Sequence, residues 1–111
     1  MSAQIAYETI DKFFRDVPLH ATENPKLRYF VGTCRFEVEG VGSWLVEADR
    51  GRLTVREPGG TEETDCVIRT TEKDFLRLIS GEQNPITAFM QGRLQLTGQL
   101  SYGERFVQIF P

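Results

Sequence analysis

A chain of 111 residues, 40% of them hydrophobic, has the length for one domain and the composition for one apolar core. Eight Phe, three Tyr and one Trp against 26% charged residues exclude a disordered chain, and no apolar run approaches the about 20 residues of a membrane-spanning helix. Thirteen basic and sixteen acidic residues leave a net charge of −3, which gives no electrostatic hold on nucleic acid, so no such partner is expected.

Over residues 3–16 the apolar side chains Ala6, Ile10, Phe13, Phe14 and Val17 recur at three- and four-residue steps. Glu8, Asp11, Lys12 and Arg15 fall on the other side, so the spacing predicts an amphipathic helix that Pro18 ends. Residues 20–26, with Asn24-Pro25, read as a loop. The period then shortens to two. Phe30, Cys34, Phe36 and Val38 alternate with Arg35, Glu37 and Glu39, predicting a half-buried strand over residues 29–39. Gly40-Val41-Gly42 turns into a second strand, where Trp44, Val46 and Ala48 alternate with Leu45, Glu47 and Asp49. Asp49-Arg50-Gly51-Arg52 is a tight turn into Leu53-Thr54-Val55, and Glu57-Pro58-Gly59-Gly60-Thr61 closes the meander. A fourth strand follows over residues 65–70.

Thr71-Glu72-Lys73-Asp74 has the form of a capping box and opens a short helix with Phe75, Leu76, Leu78 and Ile79 on its apolar face. Gly81 is placed to stop it. Asn84-Pro85 supplies an N-cap and a first-turn proline for a second short helix, which carries Ile86, Phe89 and Met90 and ends at Gly92. Residues 93–97 alternate as a fifth strand that Gly98 breaks. Residues 100–110 form a last amphipathic helix with Leu100, Phe106, Val107 and Phe110 in register. The order α, four β, α, α, β, α predicts an α+β fold in a single domain over residues 1–111.

Enzymatic chemistry finds little footing. The one histidine, His20, falls in the predicted loop without a partner for catalysis. Cys34 and Cys66 match no zinc spacing and read as two reduced, buried thiols, so no metal and no cofactor is expected. Gly40-Val41-Gly42 and Gly59-Gly60 are hairpin turns, not phosphate cradles, and Ser43, Ser80 and Ser101 lack a nucleophile elbow. Glu37, Glu39, Glu47 and Asp49 alternate with apolar residues, the pattern of a wet strand face. Arg50, Arg52 and Arg56 cluster with acidic neighbours as surface charge balance. The bulky residues after Thr71 either fill a core or line a cavity. Periodicity favours the filled core, but both uses draw on the same residues.

One segment goes further. Asn84-Pro85-Ile86-Thr87-Ala88-Phe89-Met90-Gln91-Gly92-Arg93-Leu94-Gln95-Leu96-Thr97-Gly98 resembles the signature of the sterol carrier protein (non-specific lipid-transfer) family. Only Arg93, where the family has Lys, and Leu96, where it has Ile, depart from it. Asp65-Cys66-Val67-Ile68, Asp74-Phe75-Leu76, Ser80-Gly81 and Gly42-Ser43-Trp44-Leu45-Val46 are similar to family segments in the same order. The resemblance implies a five-stranded, mostly antiparallel sheet covered by helices, with an apolar tunnel between the layers. It implies non-catalytic binding or transfer of fatty acid, fatty acyl-CoA, sterol or a similar elongated apolar molecule. Phe36, Trp44, Phe75, Leu78, Ile79, Ile86, Phe89, Met90, Leu94, Leu96 and Phe106 are the residues it places along the tunnel. The last helix then covers one mouth, with Gly103 free to let it open. An accessory or interaction module for a lipid- or quinone-modifying enzyme system is the alternative.

The N-terminus has no signal-peptide pattern and the C-terminus no Ser-Lys-Leu-type address, so a cytoplasmic location is the default. That ending and the −3 charge point to a stand-alone prokaryotic relative. Transient membrane contact is compatible with this reading, as are a monomer and a homodimer. The close packing that a cavity requires elsewhere is expected around Phe13 and Phe14.

Overall fold

Residues 3–20, 24–59 and 62–111 are described in the computed structural model, apart from the side chains of Ala3 and His20. The His20 side chain, residues 21–23 of its loop and the Gly60-Thr61 part of the third turn therefore lie outside the described residues. Helix α1 (Ala3–His20) leads by way of a 3-10 turn (Pro25–Leu27) into β1 (Val31–Glu39), β2 (Gly42–Asp49), β3 (Arg52–Arg56) and β4 (Cys66–Thr71). Then come α2 (Glu72–Ile79), α3 (Pro85–Met90), β5 (Leu94–Gly98), α4 (Leu100–Phe106) and a closing 3-10 turn (Val107–Ile109). The order of α and β elements is the one read from the sequence.

The five strands form one sheet in the order β3-β2-β1-β4-β5. β1 and β4 run parallel, and the other three pairings are antiparallel. The β2–β3 turn places both Arg50 (φ 51°) and Gly51 (φ 93°) in the left-handed region, the backbone of a tight two-residue hairpin. Register sets Cys34, Phe36 and Val38 beside Val46, Trp44 and Ile68 on one face. The helices pack on that face.

Phe14 of α1 is fully buried there, stacked on Trp44 at 4.8 Å and Phe75 at 5.5 Å, with Phe36 edge-on at 5.3 Å. Phe13 stacks on Phe110 at 5.7 Å. This aromatic cluster joins the first helix, the sheet, α2 and the C-terminal segment, which is the close packing expected of the N-terminal helix. Trp44 keeps its polar end satisfied by donating Nε1–H to Asp11 Oδ1 at 3.0 Å.

Three expectations are corrected. Pro18 does not end α1, which runs on to His20. A proline this close to a C-terminus forfeits one amide donor, and the neighbouring Val17 is still buried in the core. The last helix stops at Phe106 and tightens into a 3-10 turn, after which an extended Phe110 turns its ring inward against Phe13, Phe36 and Phe75. Leu45, placed with the solvent-facing residues by alternation, is only 1% exposed. The chain from edge strand β3 must pass β2 and β1 to reach β4, and its described residues Glu62 and Asp65 are bonded to side chains on the face that carries Leu45. Glu62 is hydrogen-bonded there to Arg56, the register partner of Leu45, and Asp65 is bonded to Thr33 of β1.

The acidic strand residues are ion-paired: Glu37 with Arg35, Glu39 with Arg69, Glu47 with Arg56, and Asp49 with Arg50. Glu62, on the connection after β3, is held low. Hydrogen bonds from Arg56 and the Gly59 amide bring its carboxyl down from 4.5 to about 2. A carboxylate with a depressed folded-state pKa contributes stability above its unfolded value, and that contribution is lost as pH falls from about 4.5 through about 2. The melting temperature of wild type should therefore drop more between pH 6 and pH 3 than that of Glu62→Gln. Equal drops would show that this crossover contact carries no stability.

Cys34 and Cys66 are free, buried register partners on β1 and β4. Burial and the adjacent Cys66 push the Cys34 thiol well above the ordinary thiol value, which keeps it protonated and unreactive.

Candidate functional site

The site begins at α3. Asn84 Oδ1 accepts from the amides of Ile86 at 2.9 Å and Thr87 at 3.1 Å, and Pro85 occupies the first helical position. So capped, this six-residue helix projects Ile86, Phe89 and Met90 while Ala88 is buried beneath it. Gly92, at φ +76°, lets the chain turn back, and Arg93 donates its amide to Ala88 O at 2.8 Å before β5 starts. Thr70 of β4 anchors the same turn by donating its hydroxyl to Arg93 O at 2.8 Å.

Helix α4 completes the enclosure. It sits so close to β5 that a Cβ added at Gly103 would overlap the Leu96 side chain. Between α3, β5 and α4 lies a cleft of about 180 Å³. Leu94 and Val107 are buried at its floor, Leu96 and Gly103 form a wall, and Ile86, Phe89, Met90 and Leu100 stand around the rim. Exposure of 40% to 79% for those four rim residues makes this a concentrated apolar opening on the surface. Glu104 is the one charged side chain among the described residues lining it.

Five of the residues proposed from the sequence therefore meet at one place: Ile86, Phe89, Met90, Leu94 and Leu96. Phe36, Trp44, Phe75, Leu78 and Phe106 lie instead in the buried core, at most 2% exposed, with Ile79 half-buried against it. Aromatic contacts of 4.8–5.5 Å fill the space around Phe14, between the sheet and α1 and α2. Pro85, Leu100, Gly103, Glu104 and Val107 also line the cleft and escaped the sequence reading as site residues. Pro85 sat inside the recognised motif. Leu100 read as a core position of an amphipathic helix, and nothing in its spacing tells floor from rim.

Gly103 supports a different role from the hinge expected of it. In an open helix Gly→Ala gains about 1 kcal/mol of propensity, whereas forcing a methyl into a packed contact costs about 1–3 kcal/mol. Gly103→Ala should lower stability in urea unfolding by up to about 2 kcal/mol after that offset, with Leu96 displaced. A stabilised variant would restore the hinge reading.

Comparison with known proteins is consistent with this architecture. Residues 11–111 match the model of the SCP-2 sterol transfer family. The chain is 38% identical over 58 residues to sterol carrier protein 2 from Homo sapiens, a match spanning 52% of this chain and 10% of that protein. It thus covers about a tenth of the length of that curated relative. Among solved structures, the sterol carrier protein domain 2 of Helicoverpa armigera aligns with a TM-score of 0.69 at 25% identity, covering 88% of this chain and 82% of that one. Sterol carrier protein 2 like 2 from Aedes aegypti aligns with a TM-score of 0.73 over 96% of this chain and 98% of its own, and at 18% identity that likeness speaks for the fold alone.

Proposed function

The chain belongs to the SCP-2 sterol transfer family, and from that premise we propose that it binds elongated apolar molecules in the cleft between α3, β5 and α4 without altering them. The observation that carries this reading is that the family-like motif over residues 84–98 supplies most of the cleft's apolar walls. Taking about 30 Å³ per water, the cleft holds on the order of six waters, or about as many methylenes. Each buried methylene contributes about 0.8 kcal/mol, a gross gain of about 5 kcal/mol. The rim adds burial as Ile86, Phe89 and Met90 close on the chain. Micromolar binding needs a net gain of about 8 kcal/mol, so the floor of the cleft does not supply it alone and the affinity rests on the burial that the rim adds. Such contacts have little directionality, so chain length should matter more than chain identity.

Reduced, buried cysteines suit a cytoplasmic setting. No helix among the described residues is long and apolar enough to cross a membrane, and no group of three metal-ligating side chains converges among them.

The test is a fluorescence titration with Nile red, an uncharged apolar dye, competed with 1-dodecanol. Wild type should bind both saturably, and the double variant Ile86→Ser/Phe89→Ser should lose at least about tenfold in affinity. That is about 1.4 kcal/mol, less than two large side chains contribute when fully covered. Both positions are 40% or more exposed, so the fold should persist. Unchanged affinity in the variant would remove the cleft as the binding site and leave the accessory-module reading as the better one.

A further inference from the structure

We propose, on the strength of the lipid-binding reading above, that Glu104 selects the head group of the ligand. The cleft takes chains ending in an uncharged or cationic hydrogen-bond donor and disfavours carboxylate ends. Its apolar walls set no such preference by themselves. Glu104 does, because no Lys, Arg or His stands among the described residues that line the space. The Glu104 carboxylate makes no ion pair and no side-chain hydrogen bond with any described residue; only its backbone carbonyl is used, accepting from Gln108 at 3.4 Å.

The neighbouring cation is committed elsewhere. Arg105 donates Nη1–H to Lys26 O at 2.6 Å and lies over the Phe30 ring at 5.9 Å. A fatty-acid carboxylate next to Glu104 would thus meet a like charge without a counter-cation. Beside an apolar surface that repulsion is screened less than in open water. A hydroxyl or ammonium end instead donates a hydrogen bond to an ionised acceptor, the stronger kind. The net charge of −3 acts in the same direction.

Competition of Nile red by dodecanoate and dodecylamine, each below its micelle concentration, and by 1-dodecanol below its solubility limit, at pH 7.5 and low salt, tests this. Wild type should rank the amine and the alcohol at least tenfold above the acid. Because the alcohol also partitions better on its own account, Glu104→Gln decides the matter. It should tighten dodecanoate about fivefold or more and weaken dodecylamine by a similar factor, with 1-dodecanol weakened less than the amine because an amide oxygen still accepts from a hydroxyl. Glu104→Lys should place the acid above the amine. Ratios that stay within twofold of wild type in both variants would overturn the role of Glu104 while leaving the cleft a binding site. Failure of all three ligands to compete in wild type would overturn the binding reading itself, and this inference with it.

Discussion

Phe14→Ala should cost about 3–5 kcal/mol of folding free energy, the range for a buried aromatic truncated in a packed core. The ring is fully buried and touches four others, Trp44 and Phe75 face to face and Phe13 and Phe36 edge-on. Removing it opens a void shared by α1, the sheet and α2, and none of these can collapse into it without breaking contacts of its own. A domain of this kind has about 5–15 kcal/mol in total, so the variant would sit near its unfolding threshold. Urea unfolding should show a lower midpoint at an unchanged slope, with Phe14→Leu losing much less. A loss under 1 kcal/mol for Phe14→Ala would mean that the aromatic cluster is not the centre of the core.

Gly98→Ala should be damaging for two separable reasons. The backbone there is at φ +88°, and a Cβ would stand 2.6 Å from the Asp65 carbonyl oxygen and 2.9 Å from the Cys66 Cα. Both are backbone atoms and cannot swing aside. Asp65 is held by Thr33, whose amide donates to its Oδ2 at 2.8 Å, and by its own amide donating to Thr33 O at 3.1 Å. Its carbonyl accepts from the Gln99 amide at 2.9 Å. Left-handed strain alone costs a non-glycine residue roughly 1–2 kcal/mol, and forced overpacking adds about 1–3 kcal/mol. Gly92→Ala is the control: its φ is +76° with nothing within 4 Å, so it should lose only the strain. A difference of at least 1 kcal/mol between the two in thermal or urea unfolding isolates the close approach of β5 to β4. Equal losses would dismiss it.

Much of the architecture was legible because local chemistry and global placement agree. Thr71 caps α2 through the Asp74 amide, and Asn84 caps α3 through two amides, as their spacing promised. The two-residue period of β1 matches its alternating burial from Gly32 to Val38. What alternation cannot encode is a crossing of the chain far away in sequence, which is why Leu45 on the second face was misplaced. Pro18 misled for a related reason: a rule about helix interiors is weak in a last turn held by Val17.

The lining of the candidate cleft was half legible. Ile86, Phe89 and Met90 follow from a recognised motif, but the resemblance drew Phe14's neighbours Phe36, Trp44 and Phe75 into the same lining. Helical and strand periods show which residues face inward, not whether the space they face is occupied. Phe13 and Phe14 occupy it on the α1 side, and the absence of a side chain at Gly103 lets α4 approach Leu96 and wall off a smaller space on the other.

The most direct test of the central proposal is a ¹⁵N NMR titration with 1-dodecanol, because it reports where a chain sits rather than only that one binds. Saturable shift changes should cluster on the amides of Ile86, Phe89, Leu94, Leu96, Gly103 and Glu104, with Phe14, Trp44 and Leu53 unmoved. Saturable changes centred on α1 and β3, or none that saturate, would contradict binding in this cleft.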